Sequence, residues 1–300
     1  MSSIFSGLPI FKKKEAKTES EISIERCQKI FNSINLVGIS KLFKKSINIK
    51  GIDFNLVHTK PIFVYEDQPE TENRYLGMYL IESQEIKLNS FEIEKAAKRF
   101  MNLYKLNVDD SLHAAMVSVY IHELWHLNSD MKDDEFLGNE RHVVDEKNHF
   151  IFFRAFNEAM TELLTQVVVS NYLKDRFDID LKSEDISYLN YATLLNSIIK
   201  YIRDIMLKYE MVDDETKALE AVWGVFCEAY MSTDLTAKYS HIDFIEDFFG
   251  KDFTYILGGL GYDKSSGKEK KQILILLKTL QYYREKNNLS ALDINNIKLI

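Results

Sequence analysis

The distribution of proline and glycine constrains this chain more than any other feature. All three prolines, Pro9, Pro61 and Pro69, lie in the first 70 residues, and the ranges 78–137 and 139–223 contain no glycine. Because these two residues are the principal helix breakers, their absence predicts long helices through the C-terminal two-thirds of the chain.

The spacing of apolar residues predicts a short mixed segment followed by helices. Helices are predicted at 22–45 with a break near Gly38, at 91–106, from the N-caps Asp109, Asp110 or Ser111 through His126, and at 152–176, 187–209, 214–231, 235–249 and 268–286. Strands are predicted at 51–59 and 62–66, and the segment 74–90 is typical of a β-hairpin. The range 128–148 is rich in charge, and we interpret it as a polar connection.

This order of elements predicts an α+β fold with two lobes. An N-terminal lobe at 21–130 would carry a small twisted sheet and one functionally important helix, and a mostly helical lobe would occupy 131–300. The polar segment 1–20 is expected to be a mobile tail.

Composition argues against several classes of partner. The formal net charge is −8, so we expect neither nucleic acid nor an anionic membrane as a partner. Cys27 and Cys227 form no CxxC pair, and no apolar run approaches the length of about 20 residues that spans a bilayer. The first positive charges follow an apolar stretch, the reverse of a secretory signal. We therefore expect a cytoplasmic protein, with secretion by a signal-independent route left open, and the sequence indicates no oligomeric state.

Residues 117–130, VSVYIHELWHLNSD, place three titratable side chains within an apolar run. His122 and His126 are four residues apart, so on a helix they project from one face, about 6 Å apart along the axis. Two neutral imidazoles at this spacing can bind one zinc ion. Glu123 lies roughly 100° further round the helix, where it would reach a water on the metal rather than the metal itself. The alternative is a buried polar cluster on a core helix.

A zinc site needs at least one further protein ligand. The predicted helix at 152–176 carries Glu158 and Glu162, four residues apart. Because the charged segment 138–150 is interpreted as a solvent-exposed connection, the helix is the favoured source of the ligand. Rival ligands in that segment are Glu140, His142, Asp145, Glu146 and His149. Without a metal, the two helical glutamates would simply be charges on a solvated helix face.

The combination of HELWH with NEAMTE resembles the gluzincin, or thermolysin-like, group of zinc metallopeptidases. In that group a glutamate ligand lies on a following helix within the pattern Asn-Glu-x-x-(Ser/Thr)-(Asp/Glu), which residues 157–162 match. The resemblance implies that Glu158 is the third zinc ligand. It also implies that Glu162 orients a ligand histidine through its other ring nitrogen, and that Asn157 is a further residue that supports the metal ligands.

Other zincin features match to different degrees. The metzincin pattern does not fit, because Ser129 and Lys132 stand where that group has glycine and histidine. The segment YLGMYLIESQEIKLNS (75–90) is similar to the edge hairpin that lies over the active-site helix in many zincins, where an extended peptide can add as a strand. A looser similarity over roughly 75–260 connects the chain with uncharacterised bacterial and phage zincin-like proteins.

The resemblance implies zinc-dependent hydrolysis of a peptide or protein substrate. Glu123 would accept a proton from water and pass it to the leaving amine, first as general base and then as general acid. A donor to the developing oxyanion is also expected, usually tyrosine or histidine in this group. We choose Tyr230, which lies in the segment CEAYMSTD. Alternative donors are Tyr191, His241, His142 and His149.

Two other functions agree with the same residues. The metal could stabilise a non-catalytic zincin-like module with a binding or regulatory role, or the protein could be a protease toxin directed at a host. An open coordination position would favour catalysis, whereas a fourth protein ligand would favour the structural role.

Overall fold

The computed structural model describes residues 17–46, 56–67, 75–130, 136–144, 149–181, 189–261 and 266–292. These residues are mostly helical and include two small three-stranded sheets. The helices are α1 (Glu19–Phe31), α2 (Leu36–Ser46), α3 (Ser90–Tyr104), α4 (Val108–Ser129), α5 (Arg154–Phe177), α6 (Leu189–Lys208), α7 (Glu215–Met231), α8 (Leu235–Phe249), α9 (Lys251–Gly258) and α10 (Ser266–Lys286). The strands are β1 (Ile62–Val64), β2 (Gly77–Leu80), β3 (Glu85–Asn89), β4 (Phe136–Leu137), β5 (Glu140–Val144) and β6 (His149–Phe152).

The predicted helices are present, with differences at their ends. The break predicted at Gly38 lies earlier, because the side chain of Asn35 accepts the Gly38 N–H at 2.9 Å and so caps α2. Similarly, α4 is capped by Asn107, whose side chain accepts the Asp110 N–H at 2.9 Å, rather than by the residues predicted. The short helix α9 was not predicted.

The predicted hairpin forms part of a mixed sheet in the order β1-β3-β2. Strand β1 pairs with β3 in parallel, and β2 pairs with β3 antiparallel, which leaves β2 at an edge of this sheet. The prediction of a strand at 51–59 is wrong for 56–59, which form no strand, and 51–55 lie outside the described residues. The predicted tail at 1–20 also overlaps α1, which begins at Glu19, while 1–16 lie outside the described residues.

The segment 128–148, which we interpreted as a polar connection, contains strands that were not predicted. Its described residues contribute to a second sheet, in which β4 pairs with β5 and β5 with β6, all antiparallel. The strands are only two to five residues long and are mixed with charge. An alternation of apolar and polar residues over so short a segment is too weak a signal to distinguish a strand from a loop.

Helix α4 runs through the core, between α3 and α5. Its residues Tyr120, Ile121, Leu124 and Trp125 are fully buried, and Phe43 stacks on Trp125 with ring centroids 4.0 Å apart. One continuous apolar core joins residues of both predicted lobes. The side chains of α4 are therefore held by packing on all sides. Of the helices described, none combines the length and the apolar character that crossing a bilayer requires.

Candidate metal centre

Three side chains on two neighbouring helices meet at one point. His122 and His126 project from α4 with their Nε2 atoms 3.3 Å apart. From α5, Glu158 Oε2 lies 3.3 Å from His122 Nε2 and 3.5 Å from His126 Nε2. In a tetrahedral zinc site with ligand bonds of about 2.0–2.1 Å, the ligand atoms are about 3.3–3.4 Å apart. The triangle therefore has the dimensions of a zinc site, and its donor set fits that ion.

The electrostatics of this cluster favour a cation at its centre. Burial alone would lower the pKa of His122, but the carboxylates of Glu158 and Glu162 outweigh it and raise the pKa well above its usual value. Burial alone would raise the pKa of Glu158, but His126 and His122 hold it well below its usual range. In addition, the buried atoms His126 Nδ1 and Glu158 Oε2 lack a hydrogen-bond partner among the residues that the structure describes. Unsatisfied buried polar atoms are uncommon, and an ion at this point would satisfy the Glu158 oxygen.

Glu162 lies where it can orient one of the imidazoles. Its Oε2 is 3.4 Å from His122 Nδ1, the ring nitrogen that does not face Glu158. A carboxylate at this nitrogen fixes the tautomer and the orientation of a metal-ligating histidine.

Glu123 lies outside the ligand triangle and beside the edge strand β2. The backbone of Tyr79 lies near its carboxylate, and a Cβ atom on Gly77 would lie 2.8 Å from Glu123 Cγ. Only glycine lets the strand approach this side chain so closely. Burial raises the pKa of Glu123 and the two histidines lower it, with a net rise.

The centre opens into a cleft of about 600 Å³. One wall of the cleft is formed by Gly77, Met78 and Tyr79 of strand β2 and by Ile81, which lies just beyond the end of that strand. The other polar side chains that line the cleft include Tyr191, Glu140, His142, Arg154 and Glu269. Glu140 is paired with His142, with Oε1 and Nε2 2.8 Å apart. The metal centre is thus accessible from one side through a polar cleft.

Three or more histidine, cysteine or acidic side chains can bind one ion only where their ligand atoms lie close together. Among the described residues, only His122, His126 and Glu158 form such a group. The rivals Glu140 and His142 line the cleft but do not join this group. Asp145 and Glu146 lie outside the described residues, as does the side chain of His149, whose backbone is in β6.

The position of Tyr230 does not agree with its predicted role as oxyanion donor. The side chain is fully buried, its hydroxyl lies 2.7 Å from Thr161 Oγ1, and it does not line the cleft. Of the alternatives, Tyr191 and His142 line the cleft, whereas His241 is buried between Phe153 and Phe156. A similarity in sequence around Tyr230 carried no information on which way its ring points.

Asn157 also has a different role from the one predicted. Its Oδ1 accepts the backbone N–H of Asn139 at 3.0 Å and lies against Gly138, which has a φ of 56°. A Cβ on Gly138 would lie 2.3 Å from this oxygen. Asn157 therefore holds the turn between β4 and β5, and its hydrogen bond goes to that turn rather than to a metal ligand.

Sequence reasoning missed Lys238, which is fully buried on α8. Its Nζ donates to the carbonyl oxygens of Gly138 at 2.9 Å, Tyr230 at 2.9 Å and Ser129 at 3.4 Å. These bonds connect the ends of α4 and α7 to the β4–β5 turn. We refer to Lys238, Tyr230, Thr161 and Asn157, with the backbone that they bind, as the Lys238 cluster.

Comparison of the chain with models of known protein families, with curated protein sequences and with solved structures finds no match.

Proposed function

We propose that this chain is a zinc-dependent metallopeptidase with a zincin-like fold, in which His122, His126 and Glu158 hold the metal. The observation that carries the proposal is the triangle of ligand atoms 3.3–3.5 Å apart, with the carboxylate of Glu123 beside it and outside it. The resemblance of HELWH and NEAMTE to the gluzincin motifs supports the same assignment of residues. The zincin-like fold is supported by a small mixed sheet whose edge strand β2 lies against the helix that carries both histidines.

In this proposal Glu123 is the proton carrier. When bound, zinc supplies a Lewis acid that lowers the pKa of a water ligand towards about 7 and polarises a carbonyl group. Strand β2 lies against the Glu123 side chain, and the close approach of Gly77 limits its rotamers. A carboxylate with a raised pKa accepts a proton and returns it more readily at neutral pH than an ordinary glutamate.

The cleft suits an extended peptide as substrate. Within the described sheet β2 is an edge strand, and its residues line the cleft beside the metal centre. An edge strand offers backbone N–H and C=O groups to a peptide that adds as a further strand. The second carboxylate–imidazole pair, Glu140 and His142, adds polar contacts on the same cleft.

A catalytic role is favoured over a purely structural one by the number of ligands. Structural zinc sites are closed by four protein ligands, whereas catalytic sites have three and leave one position open. The described side chains supply three ligands, His122, His126 and Glu158. A protease toxin would use the same chemistry and is a narrower form of the same proposal.

The test compares the protein with Glu123→Gln in zinc content and in cleavage of a randomised peptide library. We expect about one zinc per chain in both proteins, and a loss of cleavage in the variant of at least about a hundredfold, the lower range for general acid–base groups. Glu82→Gln, the same substitution at an exposed position in the hairpin turn, is the matched control and should cleave normally. A chain that binds no zinc, or a variant that cleaves at the normal rate, would overturn the proposal.

A further inference from the structure

We propose that Arg154 binds a carboxylate group of the substrate, so that the cleft selects substrates with a carboxylate close to the scissile bond. This inference rests on the proposed function, because it names the substrate class of the same cleft. Three observations support it: the position of Arg154 in the cleft, the lack of a close ion pair for its guanidinium among the described residues, and the arrangement of the acidic side chains nearby.

Arg154 is the first residue of α5 and lines the metal cleft. It precedes Glu158 by four residues, so the two side chains project from the same face of the helix, one turn apart. One turn is about 5.4 Å, and an extended chain advances about 3.3–3.6 Å per residue. A group bound to Arg154 is therefore within about two residues of the bond at the metal.

The Arg154 guanidinium is not paired at close range with any side chain that the structure describes. Among the described residues it forms no hydrogen bond, ion pair or ring contact, although its side chain is partly buried. Five other arginines each pair with a carboxylate or an aromatic ring: Arg26, Arg141, Arg176, Arg203 and Arg284. A partly buried guanidinium without a partner has lost part of its hydration and has gained little in return.

Stability of the helix does not explain this arginine. The first turn of a helix carries a partial positive charge, so a cation there is unfavourable, and the first turn of α5 contains no acidic residue to offset it. A basic residue that weakens its own helix and points into a cleft is better explained by what the cleft binds.

The charged groups that face Arg154 leave room for an added anion. Glu269 on α10 lines the same cleft and interacts with Arg154 electrostatically, but the two form no ion pair within 4.0 Å. The Glu269 atom Oε1 is buried and has no hydrogen-bond partner within the part of the chain that the structure describes. Glu140 is already paired with His142, and Glu158 belongs to the metal centre. Arg154 and Glu269 therefore stand apart, with the guanidinium available to a ligand.

A carboxylate is the group that matches this side chain in a peptide substrate. The planar guanidinium presents paired N–H donors to the two carboxylate oxygens, an arrangement that lysine or histidine cannot reproduce. The carboxylate has two possible sources: an Asp or Glu side chain next to the scissile bond, or the C-terminus of the peptide. Their chemistry is the same, and matched peptides distinguish them.

The experiment measures kcat/KM for hexapeptide pools in matched pairs. One pair has Asp or Asn fixed at each position in turn, and the other has a C-terminal carboxylate or carboxamide. We expect a preference of about tenfold or more for the charged member of at least one pair, as a hydrogen bond to a charged group supplies. Arg154→Gln should abolish this preference, because it should lower kcat/KM for the charged member of the pair about tenfold more than for the neutral member. Glu269→Gln, which removes the opposing charge, should increase the preference.

Binding of the same pools, fluorescently labelled, to zinc-loaded Glu123→Gln protein separates this inference from the proposed function. An Arg154-dependent preference in binding, without any hydrolysis by the unsubstituted protein, would support the carboxylate site and reject the peptidase. Equal binding and equal cleavage of charged and neutral pools would overturn the inference. It would also be overturned if Arg154→Gln weakened the binding of charged pools and of neutral pools to the same degree. Zinc content and the thermal midpoint of each variant show that it is folded.

Discussion

The metal centre and the Lys238 cluster are two polar groups buried against the same helices, α4 and α5, and they differ in how their hydrogen bonds are satisfied. Lys238 Nζ donates to three backbone carbonyls, and the Tyr230 hydroxyl lies 2.7 Å from Thr161 Oγ1. In the metal centre, by contrast, two imidazole nitrogens and a carboxylate oxygen face one another, all within 3.5 Å.

The difference indicates what each group does. A polar cluster whose bonds lie within the chain fixes the relative positions of the elements that it connects. Two imidazole nitrogens and a carboxylate oxygen this close together suit a cation, which we propose that they bind. The Lys238 cluster holds the ends of α4 and α7 together.

Removing a ligand should have the largest effect. We expect Glu158→Ala to weaken zinc binding on the order of a thousandfold, because four-ligand zinc sites gain about 10–16 kcal/mol in total. Competitive titration against a chelator of known affinity measures this change. Zinc binding at normal strength in Glu158→Ala would mean that another residue completes the site.

In the Lys238 cluster the matching substitution is Lys238→Met, which keeps an unbranched side chain that is one atom shorter. It removes the lysine donor from three backbone carbonyls, of which Ser129 O still accepts the Gly138 N–H, so we expect the free energy of unfolding in urea to fall by about 3 kcal/mol. Zinc binding by the folded fraction should be unchanged. A large loss of zinc affinity with normal stability would erase the distinction between the two groups.

The same variant has a pH signature. Burial lowers the pKa of Lys238 to about 7 from an ordinary value of 10.5, so between these values the folded chain binds fewer protons than the unfolded chain. Stability from this group therefore rises with pH over that window. We expect the difference in unfolding free energy between the protein and Lys238→Met to be larger at pH 9 than at pH 7. A difference independent of pH would show that Lys238 keeps an ordinary pKa.

A smaller effect is expected from Glu162→Gln. The amide retains the size of the side chain but binds His122 Nδ1 less strongly, so zinc affinity should fall about 10- to 100-fold, as for other residues that orient a ligand. Stability of the metal-free protein should change little. An unchanged zinc affinity would place Glu162 outside the metal centre.

The smallest effect is expected from Tyr230→Phe. Loss of the hydroxyl should lower the free energy of unfolding by about 1 kcal/mol and leave kcat for peptide cleavage close to normal. A fall in kcat of a hundredfold with normal stability would instead restore Tyr230 as the oxyanion donor, and the position of its side chain would have to change on substrate binding. Tyr191→Phe, at a tyrosine that lines the cleft, is the informative comparison.

The two regions also differ in how far the sequence could predict them. The spacing of His122 and His126 fixes their relation on any helix, and the resemblance of 157–162 to the gluzincin pattern implied Glu158 as the third ligand. The Lys238 cluster joins atoms 100 and 109 residues apart, between Lys238 and the carbonyls of Gly138 and Ser129. A lysine that binds backbone carbonyls leaves no pattern of residue types, because every residue has a carbonyl.

Similar reasoning explains the errors in the fold. The long helices followed from the absence of glycine and proline, a signal that accumulates over many residues. The strands β4, β5 and β6 are stabilised by pairing with one another, and each is too short for its own alternation to be distinctive. The role of Tyr230 depended on the direction of one ring, which only the packing of α7 determines.

The most direct test of the central claim is X-ray absorption at the zinc edge of the zinc-loaded protein. We predict two imidazole nitrogens with oxygen as the remaining ligands, all at about 2.0–2.1 Å, and a loss of the imidazole signal in His122→Ala and His126→Ala. Sulfur at about 2.3 Å, which would have to come from Cys27 or Cys227, or a spectrum unchanged by both histidine substitutions, would contradict the account.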